Sequence, residues 1–299
     1  MKVLSTRRYP GPAFDELDDV EVLPATGIEA QRPDVEGLIV ANEPVPFDLL
    51  PKLRIVANFG VGYDRIDLAV CAERGIVVTN TPGVLDAATA DLAFALILAT
   101  RRRVVEGDRI IREGRWGRSW SEGLLAEELA GSTLGIVGLG RIGAAVARRA
   151  RGFDLRVLYA QRRRVDTELA EFRELDALLE EADVVTIHVP LTPETDGLID
   201  ARRLALLRDG TCLINTARGE IVDEGALVAE LVSGRIGAGL DVFAHEPQVP
   251  VELLELPNVV LTPHLGSATR RTREAMTRLV VDNLKAFERG DPLLTPLST

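Results

Sequence analysis

The feature that most constrains this chain is an alternation running along nearly its whole length. Short runs rich in β-branched residues are each followed by a stretch with helical patterning. In the first third the runs lie at residues 3–4, 20–23, 38–40, 55–57 and 76–78. In the middle they lie at 133–137, 156–159, 184–187, 211–214, 240–242 and 259–261. Runs so short and so continuously apolar suit strands covered on both faces by helices. Strands alternating with helices require crossover connections, and hence a mostly parallel sheet. The expected fold class is α/β.

Two longer helical segments punctuate the alternation. One spans residues 86–113, opening on an acidic residue and ending near Gly114. The other spans 269–289 and is closed by Gly290 and Pro292. The stretch of about 155 residues between them holds six strand candidates, enough for one doubly wound dinucleotide-binding domain. The expectation is therefore a doubly wound parallel-sheet (Rossmann) cofactor domain over residues 99–268. It would be inserted into a smaller flavodoxin-like α/β substrate domain formed by residues 1–98 and 269–299. Ligands tend to gather in the cleft such a division creates.

Composition excludes several classes. With 299 residues, 46% of them hydrophobic and 27% charged, the chain is neither disordered nor fibrous. Its net charge of −11 argues against a general nucleic-acid or anionic-membrane binder. Two cysteines, Cys71 and Cys212, and three histidines leave too few ligands for a structural zinc site, and no metal is expected. The N-terminus reads as an immediate strand with no signal-peptide core, and the longest apolar stretch, residues 92–99, is too short to span a bilayer. A cytoplasmic protein is expected, with scarce cysteine consistent with a reducing compartment.

Gly138-Leu139-Gly140-Arg141-Ile142-Gly143 matches G-x-G-x-x-G. The pattern alone is weak, but here it directly follows the strand run at 133–137 and opens a helical segment at 144–151, the context the fingerprint needs. The first glycine permits the tight turn, the second lets backbone approach a pyrophosphate, and the third lets helix and strand pack. The helix N-terminus then faces the anion. At the end of the next strand, an NAD site carries Asp or Glu for the ribose 2′-hydroxyl. This chain has Gln161-Arg162-Arg163-Arg164 there. A missing acid removes repulsion, and guanidinium groups fork onto phosphate oxygens, so NADP is favoured over NAD.

Three further stretches fall at expected strand ends, which line the crevice in such folds. They are Asn215-Thr216-Ala217-Arg218-Gly219, Leu240-Asp241-Val242-Phe243-Ala244-His245-Glu246-Pro247 and Leu261-Thr262-Pro263-His264-Leu265-Gly266. They bring an arginine, a glutamate and a histidine toward one crevice. An arginine can clamp a substrate carboxylate and polarise a ketone. A histidine can protonate the carbonyl oxygen as hydride reaches the carbon. A carboxylate beside that histidine favours its protonated form. The set suits reduction of a 2-keto acid.

Taken together, these residues resemble the D-isomer-specific 2-hydroxyacid dehydrogenase family over nearly the whole chain. The resemblance runs from Asn58-Phe59-Gly60-Val61-Gly62-Tyr63-Asp64 through Asn80-Thr81-Pro82-Gly83-Val84-Leu85, the glycine motif and His188-Val189-Pro190-Leu191-Thr192 to the tail Pro292-Leu293-Leu294-Thr295-Pro296. It implies Arg218 as carboxylate and carbonyl binder, Glu246 as partner of the histidine, and His264 as proton donor. It also implies that the substrate carboxylate rests on backbone amides of Val61 and Gly62, and that two copies pair through their cofactor domains. His188, Val189 and Pro190 are expected on the adenosine side, with Thr216, Ala217, Asp241 and Gly266 also toward the cofactor; Asp241 either meets the nicotinamide end or orients a loop. Within the family the chain looks most like glyoxylate/hydroxypyruvate reductases. Glu246 stands where formate dehydrogenases carry Gln, and Phe59-Gly60-Val61 lacks the Lys of phosphite dehydrogenases. Two other readings remain at this point: a D-3-phosphoglycerate or other D-2-hydroxyacid dehydrogenase using NAD, and a dinucleotide-sensing regulatory protein of the same fold. Trp116 and Trp120 are expected either in a dimer arm or near the active site.

Overall fold

The computed structural model describes residues 1–117 and 124–297. The chain forms two compact units, one of Met1–Leu85 with Ser267–Thr299 and one of Asp86–Gly266.

The first unit is built on a five-stranded parallel sheet of β1 (Val3–Ser5), β2 (Val20–Val22), β3 (Gly37–Val40), β4 (Ile55–Asn58) and β5 (Val77–Thr79), in the order β2-β1-β3-β4-β5. This is the flavodoxin-like order. Strands β1, β3 and β4 are buried along their whole length, which is why their sequences show no polar alternation. Helix α1 (Leu68–Glu73) is started by Asp67, whose side chain accepts from the Val70 amide. The C-terminal helix (Arg270–Arg289) starts one residue after its expected position, because Thr269 caps it by accepting from the Thr272 amide. Gly290, at φ +73°, ends it in the left-handed conformation that glycine enters without penalty. It buries Met276, Val280, Val281 and Leu284.

In the second unit, α2 (Asp86–Arg101) and α3 (Val104–Arg112) precede the sheet, where one continuous helix was expected. The chain breaks at Arg103, which adopts φ +52° and closes on Glu106 and the Leu125 carbonyl. No Gly or Pro marks that break in the sequence. The sheet contains β6 (Thr133–Val137), β7 (Arg156–Ala160), β8 (Glu171–Phe172), β9 (Val184–Ile187), β10 (Cys212–Asn215), β11 (Gly237–Leu240) and β12 (Val259–Leu261). All pairs are parallel, in the order β12-β11-β10-β9-β6-β7-β8. It is a doubly wound Rossmann sheet with one strand added, and the order reverses between β6 and β9. Alternate residues feed two separate cores. Leu134, Ile136, Val184 and Ile214 pack with α2 and with α4 (Arg141–Ala150) on one face. Val137, Val185 and Leu213 pack on the other with α5 (Leu175–Glu181) and α6 (Glu224–Val232).

Two expectations need correction. The strand expected at 240–242 lies at Gly237–Leu240, a run of small residues that carries no β-branched signal. A Cβ at Gly239 would stand 2.8 Å from the Leu96 Cβ, so α2 lies too close for any larger residue. That same packing moves the boundary between units from the expected residue 98 to Leu85. Ala90, Ala93, Phe94, Leu96 and Ile97 of α2 belong to the core of the second unit. The second boundary falls after Gly266 rather than at 268. Among the described residues, no helix is long and apolar enough to cross a membrane.

Candidate active site

The glycine turn follows β6 as its sequence requires. Gly138 sits at φ +95°, and a Cβ there would come within 2.7 Å of both the His188 carbonyl oxygen and the Val189 side chain. The first glycine thus makes the turn and lets the end of β9 press against it. A Cβ at Gly143 would stand 2.1 Å from the Gly138 carbonyl oxygen, so the third glycine allows the helix to close on the turn. A Cβ at Gly140 would meet nothing within 4 Å. Helix α4 begins at Gly140 with no side-chain cap, leaving the amides of its first turn available to an anion. The Thr216 hydroxyl, after β10, is buried without a partner among the described residues. This cradle, open helix end and orphaned hydroxyl fit a dinucleotide.

The loop after β7, expected to select the nucleotide, is arranged around Gln161. The Gln161 side chain is committed internally. Its Oε1 accepts from the Leu139 amide at 3.0 Å, and its Nε2 donates to the Arg163 carbonyl at 2.6 Å. Gln161 therefore ties the glycine turn to the arginine loop, while Arg162 and Arg163 are exposed. His188 continues β9 by donating its backbone N–H to the Val137 carbonyl, and its Nε2 lies 2.9 Å from the Thr186 hydroxyl. Burial of the ring pushes its pKa down to about 3, so it is neutral. Val189 packs on the adjoining core, and the Pro190 carbonyl accepts from Thr195.

Arg218 follows β10 on a turn shaped by buried Asn215. The Asn215 side chain accepts from the Ala217 amide at 3.0 Å and donates to the Arg218 carbonyl at 2.7 Å. Arg218 Nη1 donates to the Ala217 carbonyl at 2.7 Å. The next residue must be glycine, because a Cβ at Gly219 would stand 2.0 Å from the Phe243 carbonyl carbon. That contact brings the Arg218 turn against the loop carrying Glu246.

Glu246 and His264 form a pair. Glu246 Oε1 accepts from the Phe243 amide at 3.2 Å, and Oε2 lies 2.8 Å from His264 Nδ1. Partial burial opposes the Glu246 charge. The bond to His264, the His264 and Arg218 charges and the Phe243 amide outweigh it and hold the carboxyl below its usual range. A carboxylate on Nδ1 requires that nitrogen to carry hydrogen, which leaves Nε2 as the position for a transferable proton.

His264 sits at φ +52°, an uncommon conformation for a non-glycine residue. Asp241, fully buried at the end of β11, holds it there. Its carbonyl accepts from the His264 amide at 2.9 Å. Its carboxylate accepts from the Thr262 hydroxyl and the Leu265 amide, each at 2.6 Å, and from the Gly266 amide at 2.8 Å. Burial raises the Asp241 pKa, and these three donors work against that rise. Of the two roles expected for Asp241, these contacts supply the loop-orienting one. Gly266 belongs to the same clamp, and Asp241 and Gly266 are thus bound to each other.

In the first unit, Val61 and Gly62 follow β4. Asn58 and Asn80 hold this loop, a role that the sequence reading missed although both residues stand in the quoted motifs. The available signal was a polar amide at the C-terminal ends of two neighbouring buried strands. Trp116 is three-quarters exposed, and Trp120 lies outside the described residues. Among the described residues, no group of three or more His, Cys, Asp or Glu is placed to hold a metal.

Residues 94–266 match the model of the D-isomer specific 2-hydroxyacid dehydrogenase family, NAD binding domain. The chain is 49% identical over 312 residues to a glyoxylate reductase of Pyrococcus horikoshii, with 97% of this chain and 93% of that one covered. It is 52% identical over 310 residues to a glyoxylate reductase of Korarchaeum cryptofilum, with the same coverage of 97% and 93%. Among solved structures, it superposes with a TM-score of 0.92 and 40% identity on the NADPH-dependent glyoxylate/hydroxypyruvate reductase of Sinorhizobium meliloti in complex with NADP and malonate. That match covers 99% of this chain and 96% of the other.

Proposed function

Because the chain belongs to the D-isomer-specific 2-hydroxyacid dehydrogenase family and is an NAD(P)-dependent oxidoreductase, we propose that it reduces glyoxylate and hydroxypyruvate to the corresponding 2-hydroxy acids, the D isomer where the product is chiral. The observation that carries the mechanism is the 2.8 Å contact between Glu246 and His264 Nδ1, at the strand ends that also carry Arg218 and the glycine turn. Arg218 binds the substrate carboxylate and polarises the ketone. His264 gives the proton held at Nε2 to the carbonyl oxygen, and Glu246 fixes the ring through Nδ1. The dinucleotide, when bound, supplies the hydride. On the chain's side, Gly138 to Gly143 with the start of α4 hold its pyrophosphate, and Thr216 and Ala217 line the same strand ends. His188, Val189 and Pro190 lie on its adenosine side. In the first unit, the Val61 and Gly62 amides receive the substrate carboxylate.

NADPH is the preferred donor on this reading. No acid stands at position 161, and Arg162 and Arg163 are exposed beside the glycine turn. The named S. meliloti reductase, which holds NADP, supports the same preference. The chain also pairs as a homodimer through its second unit. The support is α3, which buries none of its residues and exposes Val104, Val105 and Ile111, followed by exposed Trp116, Leu124 and Leu125. The expected location is the cytoplasm.

The test is oxidation of NADPH and NADH by the purified protein with glyoxylate, hydroxypyruvate, pyruvate and phenylpyruvate. Fast NADPH loss with the two smallest acids is expected, and Arg162→Ala should reduce kcat/KM with NADPH about tenfold while sparing NADH. A clear preference for NADH overturns the cofactor assignment. Turnover confined to phenylpyruvate overturns the substrate assignment.

A further inference from the structure

The loop after β4 has its carbonyls turned inward. Strand β4 ends at Asn58, and Asn80 directly follows β5, its neighbour in the sheet. Asn58 is fully buried. Its Nδ2 donates to the Gly60 carbonyl at 3.1 Å and the Gly62 carbonyl at 2.8 Å, and its Oδ1 accepts from the Asn42 amide at 2.8 Å. Two acceptors on one side and a donor on the other permit only one orientation of this amide. Asn80 Nδ2 donates to the Val61 carbonyl at 3.0 Å, and the Thr81 amide also reaches the Gly60 carbonyl at 3.0 Å. Three successive carbonyls, of residues 60, 61 and 62, are therefore all engaged by the protein. No acceptor among the described residues takes the Val61 or Gly62 amide. Neighbouring amides left open in this way are donors that an anion can take.

We propose that Asn58, assisted by Asn80, is a positioning residue that fixes the Val61 and Gly62 amides for a substrate carboxylate. This rests on the reading that those amides receive the carboxylate. Asn58, being fully buried, acts through the loop and not on the substrate. The clamp is anchored deep in its own unit. The Asn80 amide donates to the Thr295 carbonyl at 3.3 Å, and its carbonyl accepts from the Thr295 hydroxyl at 2.6 Å. Thr295 is in turn held by Asn283 of the C-terminal helix, which accepts from its amide at 3.2 Å and donates to its hydroxyl at 2.9 Å. Asn283 is itself fully buried.

Asn58→Asp tests the proposal with little change of size. It replaces a double donor by a carboxylate that faces two carbonyl oxygens. The expected result is a KM for glyoxylate raised about tenfold or more, a kcat within about threefold, and unchanged NADPH binding, because ground-state carboxylate binding is what suffers. Hydrogen–deuterium exchange over residues 58–63, with NADPH and the unreactive keto-acid isostere oxamate, separates the two ideas. Oxamate should slow exchange at Val61 and Gly62 in the wild type and fail to do so in N58D. No protection in the wild type sinks the carboxylate reading, and the proposal with it. Protection in the wild type, retained in a folded N58D with unchanged KM, overturns the positioning role alone. Should N58D fail to fold, Asn80→Ala removes only the bond to the Val61 carbonyl. It should raise KM about threefold with kcat intact, and an unchanged KM in folded N80A overturns the proposal as well.

Discussion

At the scale of single residues, the site turns on a histidine held in a backbone conformation that histidine rarely adopts. The Asp241 clamp keeps His264 at φ +52°, and Glu246 fixes its ring through Nδ1. His264→Ala should lower kcat by about 10²–10⁴-fold and leave NADPH affinity nearly unchanged. Glu246→Gln should be milder, since an amide oxygen still accepts from Nδ1 but carries no charge. Single-turnover rates and cofactor titrations check both, and a turnover in His264→Ala equal to wild type would end the assignment. That Arg218, Glu246 and His264 lie in loops after strands was legible in the sequence, because each stands in a short string beside an apolar run; their proposed roles are what the variants above test. Gln161, Asp241, Asn58 and Asn80 were visible as letters, but their work depends on which backbone groups they meet. Gln161 illustrates the difference. Its type signals the missing acid, while its bonds to Leu139 and Arg163 arise only from the approach of two loops.

At the scale of elements, glycine spacing decides how closely strands, turns and helices approach. A Cβ at Gly143 would meet the Gly138 carbonyl at 2.1 Å, and backbone cannot yield as a flexible side chain can. Gly143→Ala should therefore push α4 off the turn, cost about 1–3 kcal/mol of stability and weaken NADPH binding markedly. Thermal melts with and without NADPH check this, and a variant with wild-type affinity would contradict it. The buried strands β6, β7, β9, β10 and β12 were readable from continuous apolar runs, because both of their faces are covered. Two elements escaped that signal. β11 reads Gly-Ala-Gly-Leu because α2 crowds it, and β8 is only two residues long. The break between α2 and α3 escaped for a similar reason, since Arg103 takes a left-handed conformation without a glycine to announce it.

At the scale of the whole molecule, the desolvated ring of half-buried His188 should make stability depend on pH. Its pKa falls from 6.5 to about 3 on burial, so between those values the unfolded chain binds more protons than the folded one. Stability should fall as pH drops through that window, by up to about 1.4 kcal/mol per pH unit. Denaturant melts of His188→Asn between pH 7 and pH 4 should show a shallower slope than wild type, and equal slopes would refute the effect. The proposed homodimer is tested at the same scale. If it forms through the exposed residues of and after α3, light scattering should give a dimer for the wild type and a monomer for Ile111→Glu or Leu125→Glu; a wild-type monomer would refute the pairing, and a dimer surviving both changes would place the interface elsewhere. The division into units has a further consequence, which concerns synthesis. Asp86–Gly266 is one unbroken stretch, but the other unit is assembled from both ends of the chain. Strands β1 to β5 leave the ribosome first, yet Leu284 of the last helix packs over Gly37 of β3, where a Cβ would stand 3.5 Å from its methyl. The part translated first is thus completed last. A free chain ending before residue 270 would hold all of the Asp86–Gly266 unit but an unfinished first unit, and protease digestion should cut the first unit and spare the second.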